Sequence, residues 1–197
     1  NGIGIVSSSG PTIKGNFIGT TATGLAALAN YDTGLYIPHV SPAPVEGTPF
    51  MERNVISGNG NAASTGKHGI FGSALTNSAI TGNFIGVDST GNAGLGNNWD
   101  GAYICCSSTS NTWTNNIIGK NANYGIEFLN SNSNTFYGNH FGLGYNGTSN
   151  VGNISEGLKI ATGNYYIIGG SVSGQRNYFA GNVDDALIIQ QSSTGSI

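Results

Sequence analysis

The amino-acid sequence predicts an all-β chain, a right-handed parallel β-helix (β-solenoid) of about six to seven coils. Two recurring columns and an unusual composition predict it. The first column is a glycine followed by alternating apolar residues: Gly2-Ile3-Gly4-Ile5, Gly34-Leu35-Tyr36-Ile37, Gly69-Ile70-Phe71-Gly72, Gly101-Ala102-Tyr103-Ile104, Gly125-Ile126-Glu127-Phe128 and Gly157-Leu158-Lys159-Ile160. Ala186-Leu187-Ile188-Ile189 is a seventh start without the glycine. The second column is an apolar residue, a variable residue and Gly-Asn, ending at Asn16, Asn59, Asn83, Asn139 and Asn182, with Trp113-Thr114-Asn115-Asn116 in the same slot. Thirty-three glycines point to frequent turns, while 38% hydrophobic and only 8% charged residues leave enough apolar surface for a core.

The spacing justifies each element in turn. From the leading glycine to the column asparagine, the steps Gly2 to Asn16, Gly69 to Asn83 and Gly125 to Asn139 are identical, and Gly101 to Asn116 is one position longer. The coils opening at Gly34 and Gly157 reach Asn59 and Asn182 only after an equal and much longer step, which reads as an eleven-residue insertion in each. From that asparagine to the next leading glycine, the arcs Asn16 to Gly34, Asn83 to Gly101 and Asn139 to Gly157 are equal, and Asn116 to Gly125 is half as long. Each column is a strand too short to stand alone, and stacking the coils in parallel buries the apolar faces as one continuous core. Asn16, Asn59, Asn83, Asn116, Asn139 and Asn182 are therefore expected to sit above one another and exchange amide hydrogen bonds as a structural ladder. Ile13, Ile56, Ile80, Trp113, Phe136 and Phe179 are expected to form an inward stack beside them.

The remaining bulk features narrow the classes. Residues 1–197 read as a single solenoid segment, expected to belong to a longer array because the repeats run from one end to the other. No apolar run approaches the length needed to cross a bilayer, so no membrane span is expected. Six scattered basic residues and a net charge of −3 give no stripe for a phosphate backbone, so nucleic acid is not an expected partner. Cys105 and Cys106 are adjacent, and neighbours on an extended strand face opposite ways, so they are expected to stay unpaired.

Several phrases carry a family resemblance. Residues 15–24 read Gly-Asn-Phe-Ile-Gly-Thr-Thr-Ala-Thr-Gly, and residues 82–91 read Gly-Asn-Phe-Ile-Gly-Val-Asp-Ser-Thr-Gly. Arg53-Asn54-Val55-Ile56-Ser57-Gly58-Asn59 is a second phrase, with Arg176-Asn177-Tyr178-Phe179-Ala180-Gly181-Asn182 a looser copy. Together they resemble the right-handed parallel β-helix repeat proteins of the pectate-lyase-like superfamily, most of all the large bacterial extracellular repeat type. The resemblance covers nearly the whole chain and implies an extracellular or cell-surface location. It implies no one chemistry, since this fold hosts lyases, hydrolases, adhesins and phage fibres.

A search for chemistry finds isolated parts. Asp32, Asp100, Glu156 and Asp185 each fall just before a coil's first strand, where they either cap turns or form a row for Ca²⁺. The Gly-Gly-x-Gly-x-Asp phrase of calcium-binding coils is absent, so no cofactor is expected, with Ca²⁺ as the alternative. Glu127 and Lys159 share one outward position in successive coils, which predicts a surface ion pair. With Asp184 and Asp185 they are the candidate catalytic residues. The motif orders of polygalacturonase-like and alginate-epimerase-like enzymes are not met: Asp184-Asp185 follows His68-Gly69, and Tyr124-Gly125-Ile126-Glu127 lacks the Pro and His that should come after it. His39, His68 and His140 fall at unrelated phases, so no metal triad is expected. Asn146 and Asn153 open glycosylation sequons.

The long arcs 17–33, 84–100 and 141–156 and the insertions 38–53 and 166–175 should project sideways, offering Tyr31, Trp99 and Tyr145 to sugar rings or a partner. The expected function is a non-catalytic extracellular structural or adhesive module, binding carbohydrate or stacking with other copies or further coils into filaments. The alternatives are a polysaccharide lyase or glycoside hydrolase acting on a groove along the coils, and a phage tail fibre component.

Overall fold

The computed structural model describes residues 1–6, 11–38, 50–52, 54–60 and 66–190, all strands and turns. Among these residues, nineteen short strands assemble into three sheets in which every pairing is parallel. Glycine, asparagine and serine break the chain at short intervals, so the strands are brief and each must pair with the coil above and below. The first sheet stacks Ile3–Gly4, Leu35–Ile37, Ile70–Ser73, Ala102–Cys105, Ile126–Phe128, Leu158–Ile160 and Leu187–Ile189. The second stacks Thr12–Lys14, Phe50–Glu52, Ala79–Thr81, Thr112–Thr114, Thr135–Tyr137 and Ile167–Ile168. The third stacks Phe17–Ile18, Val55–Ile56, Phe84–Ile85, Ile117–Ile118, His140–Phe141 and Tyr178–Phe179. The chain visits the three sheets in rotation, which is a right-handed parallel β-helix whose seven coils open at Gly2, Gly34, Gly69, Gly101, Gly125, Gly157 and Ala186. Among the described residues no helix is long and apolar enough to cross a membrane.

Alternate residues of the strands point inward and are buried, two per strand in the first sheet, where Ile37, Ile104, Phe128 and Ile160 add a second inward column. Leu35, Ile70, Ala102, Ile126 and Leu158 line the core from the first sheet, Ile13, Ile80, Trp113 and Phe136 from the second, and Ile18, Ile56, Ile85, Ile118 and Phe141 from the third. Like residues lie over like, and Phe141 stacks on Phe179 at 4.7 Å between ring centres. Ile56 and Phe179 thus belong to a different sheet from Ile13, Ile80, Trp113 and Phe136, and the single inward stack expected from sequence is two stacks.

The asparagine ladder is likewise double. Side-chain amides run Asn16, Asn54, Asn83, Asn116, Asn139, Asn177 at the corner between the second and third sheets, each donating to the next at 2.9–3.1 Å. A second run, Asn30, Asn59, Asn97, Asn121, Asn153, Asn182, follows the third sheet at 2.9–3.0 Å. Asn59 and Asn182 therefore leave the expected ladder for the second one. A shorter pair, Asn111 to Asn134 at 2.9 Å, marks the corner between the first and second sheets. The leading glycines back onto the second ladder: a Cβ on Gly34 would lie 2.6 Å from Asn59 Nδ2 and 2.7 Å from the Gly69 carbonyl, so no side chain fits.

Two ladders also correct the insertions. Measured to the true partners, Asn54 and Asn177, the coils opening at Gly34 and Gly157 exceed the common step by six positions rather than eleven. The first excess, between the strands Leu35–Ile37 and Phe50–Glu52, contains His39 and lies largely outside the described residues, as does Arg53. The second lies at the corner between Ile167–Ile168 and Asn177.

Cys105 and Cys106 are bonded to each other, against expectation. The alternation rule fails because Cys106 is not extended: its φ is +65°, and that of Ser107 is +70°. Coil 4 carries one residue more here than coils 3 and 5, which accounts for the longer step from Gly101 to Asn116.

Candidate functional site

Two of the four candidate catalytic residues, Glu127 and Lys159, lie on the outer face of the first sheet. Tyr36, Phe71, Tyr103, Glu127 and Lys159 occupy its outward column in successive coils. The three rings stack on one another at 5.2 and 5.9 Å, which turns their faces toward each other rather than toward solvent. Lys159 Nζ sits 3.0 Å from Glu127 Oε1, donates to Tyr124 Oη at 2.8 Å and lies 4.2 Å over that ring. The pair is 13% and 15% exposed, so it is set into the sheet face rather than standing free on the surface as expected.

Beside it, His68 Nδ1 approaches Asp100 Oδ2 at 3.1 Å, and the imidazole stacks on Tyr103 at 5.1 Å. Asp100 also accepts from Asn123 Nδ2 at 2.8 Å and from the Tyr124 amide. Burial raises the Glu127 carboxyl above its ordinary value even though Lys159 pulls it down. On Lys159 burial also opposes the charge, but hydrogen bonds to Tyr124 and Glu127 outweigh it and raise the ammonium. The contact favours the charged form of both partners; burial outweighs it on Glu127 and is outweighed on Lys159.

The other acids do not join this group. Asp32 pairs with Lys67 at 2.9 Å, Asp184 accepts from Ser155 at 3.1 Å, and Glu156 accepts from Ser155 as well. His68 and Tyr124 occupy the flanking position in the coils on either side of Asp100, so Asp32, Asp100, Glu156 and Asp185 form no continuous row. Among the described residues no group of three His, Cys, Asp or Glu side chains is placed to hold a metal ion.

A concave surface lies elsewhere. A groove of about 1020 Å³ runs along the outer face of the third sheet, and a second hollow of about 420 Å³ meets it at Asn115, Gly138 and His140. Its floor is the outward column Phe17, Val55, Phe84, Ile117, His140 and Tyr178, one residue per coil. One wall is the turn carrying Thr81, Gly82, Asn115 and Gly138, and the other is a ridge of loops bearing Ser89, Thr90 and Tyr145. Among the described side chains, those lining it are apolar, hydroxyl, amide or imidazole groups, with Arg176 at one end and no carboxylate.

The ridge is built from the long arcs. Between the two ladders the chain takes one long step from Asn16 to Asn30, Asn83 to Asn97 and Asn139 to Asn153, and one short step from Asn54 to Asn59, Asn116 to Asn121 and Asn177 to Asn182. Long and short arcs therefore alternate from coil to coil. Each long arc closes on itself through an antiparallel bridge, Thr20 with Ala27, Val87 with Gly94 and Leu143 with Asn150. The loops then reach over the short-arc coil between them. Ser89 N donates to the Gly24 carbonyl at 2.9 Å, Tyr145 N to the Gly91 carbonyl at 3.0 Å, and Asn146 N to Asn92 Oδ1 at 2.9 Å. In the middle loop Asp88 Oδ1 accepts from the amides of Thr90, Asn92 and Ala93 and from Thr90 Oγ1. Burial opposes that charge, but these hydrogen bonds outweigh it and hold the carboxyl below its ordinary value.

No family model, curated protein or solved structure matches this chain. The geometry alone then sorts the sequence-derived candidates. Of the three aromatic candidates, Tyr145 lines the groove; Tyr31 is exposed and Trp99 half-buried, and neither is part of it. Asn146 is exposed at a loop tip, while Asn153 is fully buried in the second ladder, where its Nδ2 donates to Asn182, and so offers no acceptor for a glycan. Phe84, Thr90, His140, Arg176 and Tyr178 were not singled out from sequence. The signal that would have found them is the alternation of long and short steps between paired asparagines, which locates the ridge and hence the groove beneath it.

Proposed function

We propose that this chain is a non-catalytic, extracellular adhesive module of the pectate-lyase-like β-helix type, and that an extended polysaccharide lies in the groove on its third sheet. The observation that carries the reading is the groove itself: long, open, floored by rings and aliphatic side chains and rimmed by hydroxyl and amide groups. Sugar rings present apolar faces and hydroxyl edges, which this lining complements. A peptide strand is a poorer fit, because the floor strands between Phe17–Ile18 and Tyr178–Phe179 are paired on both sides and offer no open edge for β-addition within the groove. The described side chains of the lining include no carboxylate, in a chain of net charge −3, which suits a neutral or acidic glycan.

Affinity electrophoresis in gels containing neutral or acidic polysaccharides tests the reading. At least one polymer should retard the protein, and Tyr145→Ala should weaken that retardation by about tenfold, as expected of an aromatic anchor. Retardation that persists unchanged in Tyr145→Ala would move the site off the groove. The half-buried Glu127 favours a second reading, glycan cleavage on the first sheet. Chain shortening of a polysaccharide by the wild type, abolished in Glu127→Gln and Lys159→Ala, would establish that reading over the first.

A further inference from the structure

We infer that the hollow at coils 5 and 6 is a subsite for a sulfate ester, which makes the ligand of the groove a sulfated glycan. The inference rests on the proposed groove and names the chemistry that one end of it selects. The six residues by which coil 6 exceeds the common step fall between the strand Ile167–Ile168 and Asn177, and they build a wall of the hollow. Coil 5 turns the same corner through Gly138 alone, between Tyr137 and Asn139.

The insert is tied down on three sides. Gln175 N donates to the Val172 carbonyl at 3.1 Å, and Val172 N donates to Gln175 Oε1 at 3.2 Å. Asn177 is fixed in the ladder beyond Asn139, where its Nδ2 donates to the Phe136 carbonyl at 2.8 Å. A Cβ on Gly138 would lie 2.8 Å from the Gly174 carbonyl, so the insert packs directly against the coil 5 turn. Arg176 therefore leaves from an anchored stretch of backbone.

Lys67 and Lys159 are held by Asp32 and Glu127, whereas the exposed Arg176 has no ion-pair partner among the described residues. Asn115, Ser171, Ser173 and Tyr178 line the same hollow and add amide and hydroxyl groups. Its floor is His140, whose Nδ1 donates to the Gly144 carbonyl at 3.1 Å, with the Tyr178 ring set edge-on against it at 4.8 Å. The volume of about 420 Å³ lies within the roughly 300–1,000 Å³ of small-ligand sites. The hollow opens into the groove at Asn115, Gly138 and His140, so the group it takes is carried by the groove's own ligand.

Charge and shape select that group. One guanidinium balances one negative charge, and a phosphate ester, at about −1.5 to −2 near neutral pH, would leave charge uncompensated. A carboxylate has two oxygens in one plane, which the guanidinium fork satisfies by itself. A sulfate ester carries a single charge over three oxygens, and so also uses the hydroxyl and amide donors around Arg176.

The test is calorimetric titration of the full chain with carrageenan, chondroitin sulfate and fucan oligosaccharides, their chemically desulfated forms, and oligogalacturonates of equal length. At least one sulfated oligomer should bind tenfold or more tighter than its desulfated form and than any galacturonate. Arg176→Gln should remove that advantage and leave the desulfated ligand unaffected. Lys120→Gln, which removes an exposed cation outside the groove, should leave the advantage intact. Galacturonate bound as tightly as the best sulfated oligomer, or an equal loss in Lys120→Gln and Arg176→Gln, would overturn the sulfate subsite. Binding that falls in Tyr145→Ala but not in Arg176→Gln would overturn the subsite and leave the groove in place. Absence of binding to every oligomer would overturn the groove and the subsite together.

Discussion

Asn116 shows what a ladder position asks of one side chain. Its Nδ2 donates to the Ile80 carbonyl at 2.8 Å and to Asn139 Oδ1 at 2.9 Å, and its Oδ1 accepts the Asn83 amide and Asn83 Nδ2. All of these groups are buried, so Asn116→Ala strands several at once. The predicted loss in urea unfolding is on the order of 3 kcal/mol, against about 1 kcal/mol for Asn16→Ala at the half-exposed first coil. Equal losses at the two positions would mean that the ladder contributes no more inside than at its end.

Glu127 makes a pH prediction at the same scale. Its folded-state value is raised by burial, so the protonated form is the one the fold favours. Relative to Glu127→Gln, which cannot titrate, the wild type should be most stable below the ordinary value of 4.5 and lose that advantage as pH rises through the raised folded value. A stability difference that stays flat across that window would contradict the burial argument. The residue scale is also where the sequence misleads. Gly15-Asn16 and Gly82-Asn83 at one corner and Gly58-Asn59 and Gly181-Asn182 at the other share a left-handed glycine before the asparagine. Two corners with one local conformation write the same phrase, and only the hydrogen bonds separate them.

At the scale of elements, the turns carry what is particular to this chain. The Cys105–Cys106 bond sits where coil 4 holds one extra residue, with successive left-handed residues at Cys106 and Ser107. Thiol-labelling of the denatured, unreduced protein should add no label, and reduction should then expose two thiols; labelling of both before reduction would contradict the bond. The longer step from Gly101 to Asn116 was visible in the sequence, but nothing in a strand pattern says that an added residue will swing two neighbouring sulfurs to one side. The middle loop depends on Asp88. Its lowered carboxyl contributes stability that is present above the ordinary value of 3.8 and is lost as pH falls through the folded value. Asp88→Ala should speed hydrogen exchange at Thr90, Asn92 and Ala93 and weaken glycan binding while leaving the core amides protected. Unchanged exchange at those three amides would show that the loop is held by its neighbours alone.

For the whole molecule, the architecture was legible because it is written redundantly: six glycine-led strands and one alanine-led strand all begin a coil, and any one of them could be lost without losing the pattern. The site was less legible because a groove is a relation between coils. Phe84 and Thr90 look like one strand residue and one loop residue until the loop is folded back over the sheet. Conversely, Glu127 and Lys159 were aligned correctly from sequence, yet their enclosure by Tyr103 and Tyr124 depends on packing that spacing does not encode.

The groove is the claim on which the functional account stands, and chemical-shift mapping tests it most directly. Titration of the isotopically labelled chain with the polysaccharide fragment that retards it best should move the signals of Phe84, Thr90, His140 and Tyr145 and leave Glu127 and Lys159 in place. Shifts confined to Tyr103, Glu127 and Lys159 would place the ligand on the first sheet and contradict it.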